Sequence, residues 1–317
     1  MTVQSPSSCD SDTPAVARAA VIGLGSMGFG MATSLLRAGL DVSGFDVSPE
    51  AVARLVEQGG SGATSPAEAA RGADMVVSVV VNAVQTEAIL FGPHGVADVL
   101  PAGAVFISCA TLDPDVARRL GAALEARGLL YLDAPISGGA ARAATGALTI
   151  LASGPPAAFA RARPALDAMA GAGKVHDLGE APGTGAAFKM INQLLAGVHI
   201  AAACEAITFA ARQGLDLAKI YEVITGSAGN SWMFENRVPH VLKGDYTPLS
   251  AVEIFVKDLG IIQDMARSAR YPVPLAAAAL QMYLAAAGAG MGRDDDSSLA
   301  RLYAQLSGTT LPAPARD

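Results

Sequence analysis

Lys189 is an isolated ammonium in a stretch almost free of charge. It sits in the run from Gly183 to Gln193, and from Leu194 to Ala211 Glu205 is the lone formally charged residue. On a buried helix, desolvation disfavours the charged form and draws a lysine pKa from about 10.4 toward neutrality, where a general base operates. On a half-exposed helix the same side chain would run along the surface and keep its ammonium in water. A second group with chemistry is the segment DAPISGG from Asp133 to Gly139, behind an apolar run. Ser137 brings a hydroxyl, and Gly138 and Gly139 leave backbone N–H groups open to a carboxylate or carbonyl oxygen. An ordinary turn after a strand would look the same.

A third group is the loop Gly23, Leu24, Gly25, Ser26, Met27, Gly28, a GxGxxG between an apolar run and a helical pattern. In that setting the first glycine permits the tight turn and the second lets N–H groups approach a pyrophosphate at the positive end of the helix. The third lets helix and strand pack closely. Asp46 ends the next apolar run, near the distance of about 20 residues at which a carboxylate meets the ribose hydroxyls of a dinucleotide. Ser48, Pro49 and Glu50 already supply a cap, an N1 proline and an acidic first turn for the following helix, so the turn makes no demand on Asp46. A carboxylate there repels a 2′-phosphate, and no arginine stands between Asp46 and Glu50. NAD is the expected cofactor.

These groups need a scaffold that brings them together. The pattern predicts strands over 18–22, 41–45, 75–81, 104–108, 129–133, 148–152 and 174–177, with helices over 27–38, 49–58, 66–71, 114–127 and 157–168. Such alternation makes crossover units on a parallel sheet, a Rossmann-type doubly wound α/β half. After Pro182 the strand signals stop, and Ala- and Leu-rich helical periodicity runs to about Leu306. The expected organisation is a flexible tail over 1–14, a dinucleotide-binding domain over 15–182 and an all-α domain over 183–312, joined through a long helix.

With 317 residues, 51% of them hydrophobic and 16% charged, the chain can fill the cores of two such domains. The net charge of −7 without any Lys/Arg cluster argues against nucleic acid or an anionic membrane and for a small-molecule partner. The first residues lack the basic-then-apolar order of a signal peptide, and the best spanning window, 194–211, is broken by His199, Glu205 and Thr208. Cys9, Cys109 and Cys204 form no CxxC, which suits a reducing cytoplasm. His94, His176, His199 and His240 have no metal spacing, and the run Asp294, Asp295, Asp296 reads as the solvated start of a helix, so no metal is expected. No tyrosine begins a YxxxK, which disfavours the short-chain dehydrogenase arrangement and returns attention to Lys189.

In these motifs and their order the chain resembles the β-hydroxyacid dehydrogenase family over about residues 16–311. The likeness rests on GLGSMGFGMA at Gly23, DAPISGG at Asp133, GTGAAFKMINQ around Lys189, and Lys257, Asp258, Leu259, Gly260. The resemblance implies that Lys189 is the catalytic lysine and that Ser137, Gly138 and Gly139 anchor substrate. It also implies that Thr111 and Lys257 contact the cofactor on its nicotinamide side, and that Val80, Val81 and Gln85 line its groove. Many members read KxxNN, whereas here Asn192 is followed by Gln193. Which of the two orients substrate stays open, although Asn192, at i+3 on the lysine's helical face, can reach it.

The activity implied is NAD-dependent oxidation of a short sugar acid, L-threonate to its 2-oxo acid in the branch marked by GNSWMFENR from Gly229 and GRDDD from Gly292. Asn230, Ser231 and Trp232, with Asn236 further off, are then readers of substrate hydroxyls or, equally, a polar connection between helices. Association as a homodimer or homotetramer is implied as well. Other readings remain open: 3-hydroxyisobutyrate as substrate, a semialdehyde or imine reductase of the same fold using NADPH, and a dinucleotide-binding protein without turnover.

Overall fold

Short, mostly apolar runs alternating with helices, four of them capped by a side chain, build the first half of the chain. The computed structural model describes residues 17–314. Strands β1 (Arg18–Ile22), β2 (Asp41–Phe45), β3 (Ser61–Gly62), β4 (Met75–Ser78), β5 (Val105–Ser108) and β6 (Leu130–Asp133) form one parallel sheet in the order β3-β2-β1-β4-β5-β6. Helices α1 (Ser26–Arg37), α2 (Pro49–Glu57), α3 (Pro66–Ala70), α4 (Ala83–Phe91) and α5 (Pro114–Glu125) make the crossovers. Ser48, Ser65, Asn82 and Asp113 accept N–H bonds at the starts of α2 to α5, which fixes where each helix begins. One face of the sheet buries Met75, Val77 and Ile107, the other Val76, Phe106 and Tyr131, so both faces are covered as a parallel sheet requires. Strand order reverses between β1 and β4, and open α/β sheets bind ligands at the strand C-termini beside such a switch.

Past β6 the pattern differs from the single alternating sheet expected. β7 (Ile136–Ser137) pairs antiparallel with β8 (Thr149–Ala152), which pairs parallel with β9 (Lys174–Asp177), making a separate three-stranded sheet. An antiparallel bridge between Asp133 and Ser153 hinges it to β6. Pro135 has no N–H for the ladder and ends β6, and the chain turns back as β7. Helices α6 (Gly139–Thr145) and α7 (Pro156–Ala170) complete this part. The strand expected over 75–81 ends at Ser78, with Val80 and Val81 in the loop that leads to α4.

The second half is helical: α8 (Thr184–Arg212), α9 (Leu217–Thr225), α10 (Trp232–Lys243), α11 (Val252–Ser268), α12 (Pro274–Ala286), a π turn at Ala287–Met291, and α13 (Leu299–Ser307). Two helical stretches, Thr184–Arg212 and Pro274–Met291, are long and apolar enough to cross a bilayer, but they carry the centre of a protein core. Ile200, Cys204 and Ile207 of α8 pack with Phe255 and Leu259 of α11 and Tyr283 of α12. Gly197 permits this close approach, since a Cβ there would stand 3.0–3.2 Å from Phe255 and Leu259.

The acidic run is not the solvated helix start that was expected. Asp295 and Asp296 are fully buried. Arg237 donates to Asp296 through Nε at 2.5 Å and Nη2 at 3.2 Å, and Asp295 accepts from Leu249 N, Ser297 N and Ser297 Oγ. A buried arginine from α10 draws the carboxylate inside, where an uncompensated charge would be costly. Asp294 alone stays at the surface, paired with Arg301.

Candidate active site

Lys189 lies in the second turn of α8, so its position is set by how that helix begins. Gly183 N and Ala186 N donate to Asp133 Oδ2 at 2.9 and 2.8 Å, and Gly185 N donates to Ser153 Oγ at 2.9 Å. Asp133 is fully buried at the end of β6, so the sheet itself holds the N-terminus of α8. Burial outweighs the donated N–H bonds and lifts the Asp133 carboxyl to about 6. Gly185 sits so close to the sheet that a Cβ would come within 2.3 Å of Leu151 O.

The Lys189 side chain is 7% exposed. Burial draws its pKa down to about 8, the nearby Asp258 carboxylate opposes the fall, and the Lys257 ammonium adds to it. Asp258 is the hub of the surrounding polar network: fully buried, it accepts from Gln193 Nε2 at 2.5 Å and is ion-paired through Oδ1 with Lys257. Lys257 also donates to Thr111 O at 3.2 Å, which ties α11 to the loop after β5. Asn192 Nδ2 donates to Gln193 Oε1 at 3.0 Å. Gln193 is therefore engaged on both ends of its amide, while Asn192 stands at the exposed edge with its Oδ1 open. Among the described residues Lys189, Asn192, Gln193, Lys257 and Thr111 thus converge, joined through an acid for which sequence reasoning had no role.

Because Asp258 supports the protonated form of Lys189, Asp258→Asn is expected to move the Lys189 transition to lower pH than in the wild type. The pH profile of kcat/KM for the hydroxy acid measures this, and an unmoved transition would mean that the two groups are not coupled.

The glycine loop has the geometry of a phosphate cradle. Gly23 has φ +95° and a Cβ there would lie 2.3 Å from Val79 O; at Gly28 a Cβ would lie 1.8 Å from Gly23 O. Gly25 is different, since a Cβ would meet nothing within 4 Å. No side chain caps α1, so the N–H groups of Ser26, Met27 and Gly28 open onto the space above Gly25. The residues present therefore fit a pyrophosphate. Asp46 follows β2, with Oδ2 accepting from Leu24 N at 2.6 Å and Oδ1 from Ser48 N at 2.8 Å. The turn does use Asp46, contrary to expectation: the carboxylate braces the glycine loop, and each oxygen keeps a lone pair for a ribose hydroxyl. Val81 is half exposed, and Gln85 is turned back to accept from Val81 N at 2.9 Å.

A cleft of about 750 Å³ separates the two halves next to Thr111 and Lys257, lined also by Val81, Asn82, Glu253 and Arg293. Ser137 and Gly138 are half buried and Gly139 is exposed, with φ +132° at Gly138 and +74° at Gly139. Asn230 and Trp232 stand apart from this network. The Asn230 amide nitrogen donates to Thr225 O at 3.1 Å and Glu235 Oε1 at 2.6 Å, Ser231 caps α10, and Trp232 is half exposed. Asn236 bonds back to Trp232 O. Among the described residues no hydrogen bond joins any of them to Lys189, Asn192 or Ser137.

Comparison with known proteins places the same residues in context. Residues 18–179 match the model of the NAD binding domain of 6-phosphogluconate dehydrogenase, and residues 183–303 that of the NAD-binding domain of NADP-dependent 3-hydroxyisobutyrate dehydrogenase. The L-threonate dehydrogenase of Cupriavidus necator is 55% identical over 93% of this chain and 98% of that protein. The L-threonate dehydrogenase of Escherichia coli K12 is 48% identical over 92% and 95%. A crystal structure described as 3-hydroxyisobutyrate dehydrogenase from Salmonella typhimurium superposes with a TM-score of 0.86 at 49% identity, covering 90% of this chain and 99% of that one.

Proposed function

This chain belongs to the β-hydroxyacid dehydrogenase family, and from that premise we propose that it oxidises L-threonate at C2 to the 2-oxo acid with NAD. The observation that carries the chemistry is Lys189, buried yet held beside Asp258 with a pKa near 8. Above that pH its neutral amine takes the proton of the C2 hydroxyl while the C2 hydrogen leaves as hydride and the C2–O bond becomes a carbonyl. Bound nicotinamide supplies the hydride acceptor. Ser137 and the N–H groups of Gly138 and Gly139 hold the substrate carboxylate. Asn192 Oδ1 accepts from a substrate hydroxyl, and Gln193 supports it from behind through Asp258. Lys257 and Thr111 bracket the nicotinamide side of the cofactor, and the loop from Gly23 to Gly28 takes the pyrophosphate.

NAD is favoured over NADP by Asp46 and by the absence of Lys or Arg from the run Asp46 to Glu50. The nearest arginine on α2, Arg54, is stacked over the Phe29 ring with its guanidinium carbon 4.8 Å from the centroid. L-threonate is favoured over 3-hydroxyisobutyrate by the likeness to L-threonate dehydrogenases, at 55% identity over 93% of this chain for the Cupriavidus necator enzyme. The test is a panel of L-threonate, D-erythronate, 3-hydroxyisobutyrate, glycerate and serine, each with NAD and NADP. The expected result is the highest kcat/KM for L-threonate with NAD. Turnover confined to NADP would refute the role of Asp46, and an idle enzyme on every acid would refute the assignment.

We also infer a homo-oligomer acting in the cytoplasm. Phe188, Ile191, Leu195 and Phe209 are half or more exposed along one face of α8, at the spacing with which a second helix packs, and a second copy of the same helix offers the matching surface.

A further inference from the structure

Arg71, Arg142, Arg212, Arg270 and Arg293 have guanidinium groups with no carboxylate, carbonyl or ring partner among the described residues, while the other arginines there are engaged. Of these five, Arg142, on α6, packs its side chain against the loop from Ser137 to Gly139. Its Cβ, Cγ and Cδ stand 2.7–3.4 Å from where a Gly138 Cβ would be, so the aliphatic stem lies across that glycine and the charged head reaches solvent beyond it. The helix that carries Arg142 is not free to wander. Arg37 Nη2 donates to Ala144 O at 2.6 Å, Ser34 Oγ donates to Ala143 O at 3.0 Å, and Gly30 of α1 approaches α6 so closely that a Cβ would come within 2.7 Å of Ala144 N. Arg142 is thus fixed relative to the cofactor helix on one side and to the Ser137 loop on the other. Beside it, a Cβ at Gly139 would meet nothing within 4 Å, so the loop is open to a ligand on the arginine's side.

The geometry points to Arg142 as a specificity-determining residue that recognises the carboxylate of the hydroxy acid held on the Ser137 loop. This rests on the reading that the loop binds the acid end of the substrate. A guanidinium offers two parallel N–H donors matched to a carboxylate, and a partner-free arginine loses no existing bond when it engages one. Lys189 cannot serve this purpose, because its neutral form is the base and its nitrogen is needed at the hydroxyl. A carboxylate clamp outside the reacting centre acts on binding, so its loss appears in KM rather than kcat.

Arg142→Gln and Arg142→Met keep a stem over Gly138 and remove the charge. Steady-state kinetics of both variants and of the wild type are measured with L-threonate and with the neutral L-threonamide, at low and high salt. The expected result is a KM for L-threonate raised about tenfold or more, with kcat and the KM for NAD nearly unchanged. The salt dependence of kcat/KM flattens, kinetics with the amide do not change, and Arg142→Lys recovers part of the loss. An unchanged KM for L-threonate, or an equal loss for acid and amide, would overturn the inference. A wild-type enzyme idle on the whole panel of acids would overturn the functional reading and this inference with it, whereas an active wild type with indifferent variants overturns this inference alone.

Discussion

Lys189→Met is expected to lower kcat by about 10²–10⁴-fold, the usual contribution of a positioned general base, and to leave NAD affinity and the fold intact. The two side chains have similar length, and methionine suits the buried surroundings better than an ammonium does. The melting temperature should therefore hold or rise. Loss of turnover with the fold and cofactor binding retained is what a buried general base requires, and the lysine is not the surface group that a half-exposed helix would give. In the wild type the rate of oxidation should rise with pH through about 8, because the neutral amine is the active form. The same group links stability to pH. Its folded pKa lies below its unfolded value of about 10.4, so the unfolded chain binds more protons between about 8 and 10.4, and the Lys189 contribution to stability increases with pH across that window. Lys189→Met should remove both dependences. A variant that loses NAD binding and melts early would show that the residue is structural.

Much of this candidate site is legible in the sequence. The GxGxxG loop, Asp46, the DAPISGG segment and Lys189 stood out because each combines an unusual residue type with a position at the end of a strand or on an apolar helix. What the sequence concealed was which polar groups are buried together. Asp133 and Asp258 each stood within a recognised segment, but nothing local says that one tethers the start of α8 and the other joins Lys257 to Gln193. The bonds from Gly183 to Asp133 and from Gln193 to Asp258 cross 50 and 65 residues and belong to tertiary packing. Asp295 and Asp296 were misjudged for the same reason, since the arginine that draws Asp296 inside lies 59 residues away. Short elements were also hidden. Two-residue strands such as β3 and β7 have no alternation to detect, and the seven residues of α6 span too few turns for a helical period. The role proposed for Asn230 and Trp232 drew on a motif, and their side chains serve the start of α10 or face solvent instead of joining the Lys189 network.

The glycine loop offers the other large effect, because its glycines are required for different reasons and their substitutions should separate. Gly25→Leu is expected to weaken NAD binding by about a hundredfold or more, close to 2.7 kcal/mol, with little change in melting temperature. Its backbone is in an ordinary extended conformation at φ −66°, and a Cβ there meets nothing within 4 Å among the described residues. The only thing that a side chain can obstruct is whatever approaches the free N–H groups of α1. Gly28→Ala should do the reverse in order of events. Its Cβ would fall 1.8 Å from Gly23 O, so α1 must move off β1, and overpacking of this kind costs about 1–3 kcal/mol of stability before any ligand is present. Loss of NAD affinity would then follow from the displaced helix. Thermal melts with and without NAD, together with calorimetric titration, distinguish the two. Gly25→Leu should melt like the wild type without NAD and show no stabilisation on its addition, as mass action requires when binding to the native state is lost. If Gly25→Leu still bound NAD normally, the open space above Gly25 would not be the pyrophosphate site, and the loop would be no more than a tight turn between β1 and α1.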